Sequence, residues 1–303
     1  MSTWIDGGQI RRGFLYAVEN LKDQKEILNH LNVFPVADRD TGVNMTRSME
    51  RASLSLSDSS DPSEILLKAY LCLLEYGRGN SGTILTLFFE GFSSSTPPGT
   101  LLSGRDLAYA FLEGAKTAYA AVSSPEPGTI LSVASQSAQA GISILDLTDD
   151  AGLVFKRITD EAHAALLLTS YQNPILKKFQ VIDSGAYGFC LILDGFLRSF
   201  APDLPAQPYP VWSLPSQVQT TRAELPERYC TEFVLELYSD TIPPNFEQTI
   251  RSFGDYYLCV SSGQLCKVHI HTNHPEEVLQ TAQLYGTLRS KKIDDMALNN
   301  KHI

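Results

Sequence analysis

The sequence predicts a two-part fold, with an all-α region followed by a smaller α+β region. Apolar residues recur at helical spacing through the first 200 residues, strand-like runs begin only near residue 230, and a proline-rich stretch separates the two regions. A length of 303 residues also suits two domains of about 150 residues each. We therefore expect domains at 1–200 and 228–303, joined by a linker at 201–227.

The first region reads as roughly eight amphipathic helices joined mostly by short loops. The first of them carries Ile10, Phe14, Val18 and Leu21 at helical spacing. Residue types that favour helix N-termini mark the later starts. Helices joined by short loops run antiparallel, so we expect a bundle or a barrel. The expected later starts are Asp61-Pro62, Asn80 or Ser81, Ser103, near Thr129, Thr148 and about Gly188.

The linker is marked by six prolines between Ala201 and Glu227, a density that no helix or central strand tolerates. After it, strands and helices alternate in the order βαββαβ, which is typical of a ferredoxin-like unit. The predicted strands are Cys230–Tyr238, Tyr256–Val260, Leu265–Thr272 and Thr287–Ile293, and the predicted helices are Asn245–Phe253 and Pro275–Tyr285.

The composition argues against several classes of protein. The formal net charge of −10 comes without a basic stripe, which argues against a nucleic-acid partner. No apolar run approaches the ~18 residues of a membrane span, and the N-terminus lacks the pattern of a signal peptide, so we expect a cytoplasmic protein. Five cysteines are an odd number in a long chain, which favours reduced thiols or a metal site over disulfides.

Two carboxylates, Asp38 and Asp40, stand one residue apart in a loop that precedes a helix. Alternate residues of an extended loop can turn toward one centre, and Mg²⁺ prefers a few carboxylates together with phosphate oxygens and water. The alternative interpretation makes Asp40 a helix N-cap and Asp38 a solvated loop acid. For an isolated Asp-x-Asp, that alternative would be the better one.

Three further helix starts are rich in small, hydroxyl or amide residues, at Gly79–Thr83, Gly128-Thr129 and Asp183–Gly188. Free N–H groups at a helix N-terminus attract phosphate, and glycine lets the backbone approach closely. Each start alone indicates only a cap. Four such starts in one antiparallel helical domain would meet at one rim, and together they predict a phosphate pocket.

A second candidate site lies in the α+β region, where His269 and His271 alternate along one strand and so project from the same face. In the ferredoxin-like order the first and third strands are antiparallel neighbours, which places Cys230 beside the two histidines. A Cys-His-His set with an open fourth position suits zinc. The alternative is a pair of ordinary strand histidines.

The segment Asn32–Met45 resembles the signature Asn-Val-Phe-Pro-Val-Pro-Asp-Gly-Asp-Thr-Gly-Thr-Asn-Met of fatty acid kinase, whose first domain is related to the nucleotide-binding subunit of dihydroxyacetone (glycerone) kinase. The resemblance extends over essentially the whole chain and its combination of motifs is highly specific. The other matching segments are Gly77–Leu85, Pro125–Leu131, Val181–Gly188, Tyr229–Phe233, Lys267–Asn273 and Lys292–Met296.

The resemblance implies an eight-helix antiparallel barrel that binds ATP at one rim, through Mg²⁺ held by Asp38 and Asp40. Asn32 sits near the place of a third acid in the dihydroxyacetone kinase relatives, where an amide would be a weaker ligand. The resemblance also favours zinc at Cys230, His269 and His271. It places phosphate or nucleotide contacts at Thr41, Asn44, Gly79, Asn80, Ser81, Gly128, Thr129 and Asp183.

The sequence departs from the family pattern in three respects. Arg39 replaces the glycine between the two aspartates, where it could clamp the transferring phosphoryl group as a catalytic residue or block the approach that glycine allows. Ser184–Gly188 is bulkier than the family's Ala-Gly-Gly-Gln-Gly. The family's further C-terminal domain, which engages a lipid-carrier partner, has no counterpart in this sequence.

Three functions therefore stay open. The first is a kinase subunit that transfers a phosphoryl group from ATP to a fatty acid or a dihydroxyacetone-like molecule, with an acyl-carrier or substrate-carrier protein as partner. The second is a nucleotide-sensing regulator without catalysis, which Arg39 and the unmatched domain motivate. The third is a metal-binding interaction module with a helical scaffold. We consider a homodimer as the assembly.

Overall fold

The structure, a computed structural model, describes residues 4–99, 101–122, 124–204 and 227–296. In these residues, nine helices precede a small antiparallel sheet that carries two further helices. The nine are α1 (Gly7–Leu31), α2 (Thr41–Ser55), α3 (Pro62–Tyr76), α4 (Gly79–Ser94), α5 (Gly104–Ala121), α6 (Ile130–Ser143), α7 (Ala151–Gln172), α8 (Pro174–Phe179) and α9 (Ser184–Phe200).

The long helices alternate in direction. At one end of the helical region, the Gly7 N–H donates to Ser60 O (2.9 Å) just before α3, and the Gly104 N–H donates to Asp149 O (2.9 Å) just before α7. A β-bridge between the residues preceding α1 and α5 joins these two pairs of helix starts. The helices α2, α4, α6 and α9 therefore start at the opposite end, as short connections require.

Short polar side chains fix most of the helix starts. The predicted starts at Asp61, Ser103 and Thr129 are confirmed, since these residues occupy the N-cap positions of α3, α5 and α6. The Asp61 carboxylate accepts the Ser63 N–H, and Ser103 forms a capping box with Asp106.

Two helix starts differ from the prediction because a nearby aspartate provides the cap. Asp150 accepts the Leu153 N–H, so α7 begins after it and Thr148 lies outside the helix. Asp183 accepts the Ala186 N–H (2.7 Å), so α9 begins four residues before Gly188.

The helix α8 makes the count exceed the expected eight. Asn173 accepts the N–H groups of Ile175 (2.9 Å) and Leu176 (3.3 Å), and Pro174 occupies the first helical position. Since this Asn-Pro pair ends one helix and caps another, α8 is separate from α7.

The interior of the helical region is rich in phenylalanine. The Phe88 ring lies 5.0 Å from Phe111 and 5.2 Å from Phe189, both edge to face, and Phe14 lies 5.1 Å from Phe196 on α9. The last long helix packs against the first, so the helices share one core. No helix of the described residues is both long enough and apolar enough to cross a bilayer.

The second unit has its six elements in the predicted order. Its strands pair antiparallel in the order β2-β3-β1-β4, so the expected pairing of first and third strands is present. The predicted linker at 201–227 lies outside the described residues except for 201–204 and 227. The elements are β1 (Tyr229–Leu237), α10 (Phe246–Arg251), β2 (Gly254–Ser262), β3 (Leu265–Thr272), α11 (Pro275–Ala282) and β4 (Gly286–Asp295).

The two faces of the sheet differ in character. Phe233 and Leu235 on β1, and Val268 and Ile270 on β3, pack with α10 and α11 in a separate small core. Most of the alternate residues of the same strands are polar, and they face the other side. The sheet therefore has one face for its own core and one polar face for the helical region.

Contacts at the edge of the polar face attach the sheet to the helices. Val260 on β2 belongs to the helical core, and Tyr70 on α3 donates to Ser261 O (3.1 Å). The buried Lys267 ammonium on β3 donates to Gly77 O, at the end of α3. These contacts hold the polar face over the starts of α2 and α4.

Candidate functional site

A cavity of about 470 Å³ lies between the helical region and the polar face of the sheet. The starts of α2, α4, α6 and α9 line one side of it, and residues of all four strands line the other. The two sites that the sequence predicts separately therefore share one cavity. Predicted residues that line it are Asp38, Asp40, Thr41, Asn44, Gly79, Asn80, Ser81, Thr129, Asp183, Cys230, His269 and His271.

The loop before α2 depends on Asn32, which is almost fully buried. Its side-chain oxygen accepts the N–H groups of Asp40 and Thr41, each at 3.1 Å, and its amide nitrogen donates to Val36 O at 3.0 Å. Asp40 stands at the N-cap position but makes no side-chain cap bond. Because Asn32 does the capping, the Asp40 carboxylate remains available to the cavity.

The Asp38 and Asp40 carboxylates interact in a poorly solvated place. Burial raises the pKa of Asp38 well above its ordinary range, and the neighbouring Asp40 charge raises it further. Burial also raises the pKa of Asp40, while Asn44 and Lys292 lower it. A divalent cation would stabilise both ionised forms, and two carboxylates facing one cavity are the donor set that Mg²⁺ takes, so the residues fit this ion.

Three of the four helix starts at the cavity lack a cap from their own N-cap side chain, the exception being α9. The N-cap residues of α2, α4 and α6 make no side-chain cap bond, whereas those of α1, α3, α5 and α7 at the opposite end all do. The predicted caps of α4, Asn80 and Ser81, lie within its first turn, and Arg78 holds the N-cap position. Side chains of other elements accept some of the first-turn N–H groups of α2 and α6. The remaining first-turn N–H groups, chiefly those of α4, suit an anion such as phosphate.

Two glycines shape these helix starts. Gly79 has φ +63°, and a Cβ there would lie 2.5 Å from the Asn44 amide nitrogen, so the start of α4 packs closely on α2. Gly128 has φ +71°, and a Cβ there would lie 2.8 Å from Thr169 O. Gly128 is not among the residues that line the cavity, so it supports the loop before Thr129.

Asp183 joins two helix starts. One oxygen of its carboxylate accepts the Ala186 N–H of α9 (2.7 Å) and the Ile130 N–H of α6 (3.1 Å). Burial raises the pKa of Asp183 to about 6, even though both hydrogen bonds favour the ionised form. Asp183 thus lines the cavity and also fixes the relative position of α6 and α9.

Arg39 lies between the two aspartates in an unusual backbone conformation. Its φ of +57° is left-handed, a region that glycine occupies without the clash of a side chain. The family's glycine therefore matches the backbone at this point. The arginine side chain is half-buried and is not among the residues that line the cavity, so its catalytic role stays a prediction.

The predicted zinc ligands converge on the sheet face. Cys230 Sγ lies 3.9 Å from His269 Nδ1 and 4.0 Å from its Nε2, and the Nε2 atoms of His269 and His271 are 3.3 Å apart. One donor atom from each residue falls within 4.8 Å of the others. Donors around tetrahedral zinc stand about 3.3–3.8 Å apart, so the set fits this ion with little movement.

The charges around this set also suit a cation. Burial and the neighbouring His269 lower the pKa of His271 to about 3, which keeps its imidazole neutral. Burial raises the pKa of the Cys230 thiol well above its ordinary range, and the charges of Glu232 and Asp294 raise it further. A zinc ion would favour the thiolate, and its binding would release a proton.

Three polar residues of the sheet face were not predicted as site residues from the sequence. Glu232 accepts from His269 Nδ1 (3.1 Å). Burial raises the pKa of Glu232, but this bond and the neighbouring positive charges together outweigh burial and lower the pKa to about 2. Lys292 and Asp294 on β4 form an ion pair and lie opposite Glu232 and Cys230 in the strand register. Strand alternation was the signal that could have found them, since each stands two residues from another member of the face.

Two family models match this chain. One, described as DAK2 domain, covers residues 35–198, and the other, for the middle domain of FakA-like fatty acid kinase subunits, covers residues 227–303. The first alone matches more than half of the chain, and together they confirm the family resemblance inferred from the motifs.

Several curated relatives and one solved structure are similar to this chain. Protein YloV of Bacillus subtilis is 32% identical, with 96% of this chain and 56% of that protein covered. An uncharacterized protein of Staphylococcus saprophyticus is 31% identical, with 100% of this chain and 57% of that protein covered. The chain thus spans a little over half the length of these relatives. The crystal structure of the dihydroxyacetone kinase of C. freundii covers 63% of this chain and 34% of its own, with 16% identity and a TM-score of 0.45. The chain belongs to the DAK2-domain family and carries a FakA-like fatty acid kinase middle domain after its DAK2 domain.

Proposed function

We propose that this chain binds MgATP in the cavity and is the phosphoryl-transfer subunit of a kinase. The acceptor is a fatty acid or a dihydroxyacetone-like molecule, which an acyl-carrier or substrate-carrier protein delivers. In this proposal the helical region is an eight-helix antiparallel barrel with α8 inserted, supported by the contact of α9 with α1. The strand order supports a ferredoxin-like second unit.

One observation carries the proposal: two paired carboxylates and three helix starts whose N-cap residues make no side-chain cap bond line the same cavity. The carboxylates of Asp38 and Asp40 would hold Mg²⁺, and the first-turn N–H groups that no side chain accepts, chiefly those of α4, would bind phosphate oxygens. Phosphoryl transfer depends mainly on positioning and on neutralising charge, which this arrangement supplies.

Zinc is the second part of the proposal. Cys230, His269 and His271 would hold it, with Glu232 fixing the orientation of His269. Bound zinc with an open position would act as a Lewis acid toward an oxygen ligand such as a carboxylate. Because this set faces the magnesium site across one cavity, we place the acceptor on the zinc side.

The test is calorimetric titration of MgATP and of ATP without Mg²⁺. Asp38→Asn and Asp40→Asn are each expected to weaken MgATP binding by about 100-fold or more, since even indirect partners of a metal ligand cost about 10–100-fold. The matched control is Asp23→Asn, because Asp23 is exposed on α1.

Undiminished MgATP affinity in both variants would overturn the proposal. Binding by the wild-type chain without transfer to any acceptor, together with turnover gained by Arg39→Gly, would favour the nucleotide-sensing regulator instead. Arg39 motivates this second candidate, because it stands in a left-handed conformation where the family has glycine.

A further inference from the structure

The charges that line the cavity are unbalanced. Its anionic side chains are Asp38, Asp40, Glu126, Asp183, Asp255 and Asp294, whereas its cationic side chains are Arg251 and Lys292. A nucleotide triphosphate adds further negative charge. The proposed Mg²⁺ and zinc ions would neutralise only part of this, so a phosphate group in the cavity needs a protein cation nearby.

The two cations differ in their surroundings. Arg251 lies over the Tyr257 ring, 4.7 Å from its centroid, and pairs with Glu247 at 3.6 Å. Lys292 lies on β4, opposite Glu232 and on the same face as Cys230 and His269. The Arg251 guanidinium is therefore engaged with Tyr257 and Glu247 of the second unit, while Lys292 lines the cavity from the polar face of the sheet.

Lys292 also lies between the two candidate metal sites. It lines the same cavity as the Asp38 and Asp40 carboxylates of the helical side, and on the sheet it stands opposite Glu232, which accepts from His269. Asp294, two residues away on the same strand, forms an ion pair with Lys292 and holds its ammonium. An ammonium has three donors, so this pairing leaves N–H groups for a ligand.

We propose that Lys292 is a catalytic residue, whose ammonium binds the terminal phosphate of the nucleotide and remains bound to it during transfer. Asp294 is its positioning residue. The proposal rests on the proposed function, and it makes the second unit part of the active site. The helical domain would hold the metal and the nucleotide, and the sheet would supply the cation for the group that moves.

The transfer itself balances without further reactants. The acceptor oxygen forms a bond to the γ-phosphorus while the bond from that phosphorus to the β–γ bridging oxygen breaks, and its electron pair leaves with ADP. A carboxylate acceptor loses no proton, and a hydroxyl acceptor gives its proton to solvent. The Lys292 ammonium keeps its charge throughout and stabilises the negative charge on the γ-phosphoryl oxygens.

The neighbouring Lys291 offers a matched control. It points to the opposite face of β4, pairs with Glu276 at 3.7 Å and has a 48% exposed side chain. A Lys→Met substitution at either position removes one positive charge and keeps most of the aliphatic stem. A difference between the two variants therefore reports the place of the charge and not the net charge.

The experiment is calorimetric titration of the full chain with a Mg²⁺ complex of a non-hydrolysable ATP analogue and, separately, with MgADP. Lys292→Met is expected to lower the affinity for the analogue by about tenfold or more, which is the effect of one hydrogen bond to a charged group. It should change the affinity for MgADP much less. Lys292→Arg should keep most of the affinity for the analogue that Lys292→Met loses. Lys291→Met should bind both nucleotides with the wild-type affinity.

If Lys292→Met lowers the affinity for both nucleotides equally, or lowers neither, the role of Lys292 is overturned even where the wild type binds MgATP strongly. Absence of magnesium-dependent binding in the wild type would overturn the proposed function as well. Far-UV circular dichroism checks that each variant is folded, and a misfolded Lys292→Met leaves the decision to Lys292→Arg and to Asp294→Asn. Asp294→Asn should lower the affinity for the analogue more than the affinity for MgADP. An equal effect on both affinities would again contradict the proposal.

Discussion

At the scale of single residues, the site depends on which polar side chain caps which helix. Asn32 accepts the N–H groups of Asp40 and Thr41, and so leaves the Asp40 carboxylate for the cavity. Asp183 caps both α6 and α9. The sequence could predict Asp38 and Asp40 from their spacing. It could not assign Asn32, because a cap nine residues before the first residue of a helix leaves no local pattern.

The double cap made by Asp183 predicts a pH dependence of stability in the metal-free chain. The pKa of Asp183 rises from 3.8 to about 6 on folding. The folded state therefore binds this proton more tightly than the unfolded state. The corresponding stability is fully present below about pH 4 and is lost as the pH rises through about 6.

Asp183→Asn tests this dependence, because an amide oxygen can still accept both N–H groups while it cannot ionise. The variant should be more stable than the wild type at pH 7, by on the order of 2 kcal/mol, and equally stable near pH 4. Relative to Asp183→Asn, Asp183→Ala should lose about 1 kcal/mol for each lost cap at every pH, since neither side chain ionises. Urea unfolding between pH 4 and 8 measures this, and parallel pH profiles for the wild type and Asp183→Asn would refute it.

Zinc binding is also decided by single residues. We expect one zinc ion per chain, and Cys230→Ser should remove it. Glu232→Gln should lower the affinity for zinc by about 10–100-fold, because the Glu232 carboxylate would orient His269 without contacting the metal. Cys72→Ser, on α3, is the matched control. Metal analysis and competition with a chelator give the affinities, and a wild-type chain free of zinc at saturating concentration would contradict the site.

At the scale of helices and strands, the alternation of helix direction assembles the phosphate pocket. Helix starts were predictable to within a few residues, since Asp, Ser and Thr caps are local signals. The capping of α2 and α6 was not predictable, because Asn32 and Asp183 reach across from other elements to accept their first N–H groups.

The close contact of α4 with α2 makes Gly79 sensitive to substitution. In Gly79→Ala, the left-handed backbone should cost about 1–2 kcal/mol. The new methyl group should also displace the Asn44 side chain from Asp40. We expect MgATP affinity to fall by about tenfold, the effect of one charged hydrogen bond.

Gly263→Ala is the control for this substitution, because Gly263 has φ +54° but a Cβ added there would meet no atom within 4 Å. It should lose similar stability and keep the wild-type MgATP affinity. Thermal unfolding and calorimetry distinguish the two effects, and an equal loss of affinity in both variants would show that the contact with Asn44 is unimportant.

At the scale of the whole molecule, the central feature is one cavity shared by two units. The sequence predicted both polar clusters but placed them in separate sites. Their association depends on how the sheet docks, through contacts such as Lys267 with Gly77 and Tyr70 with Ser261. These pairs lie 190 and 191 residues apart along the chain, and no local pattern encodes such a contact.

The most direct test of the shared cavity is a crystal structure of the chain with Mg²⁺, zinc and a non-hydrolysable ATP analogue. We predict Mg²⁺ in contact with Asp38 and Asp40, the terminal phosphate within hydrogen-bond distance of Lys292, and an anomalous zinc signal at Cys230, His269 and His271. A nucleotide bound away from the starts of α2 and α4, or a terminal phosphate that contacts only the helical region, would contradict the shared cavity.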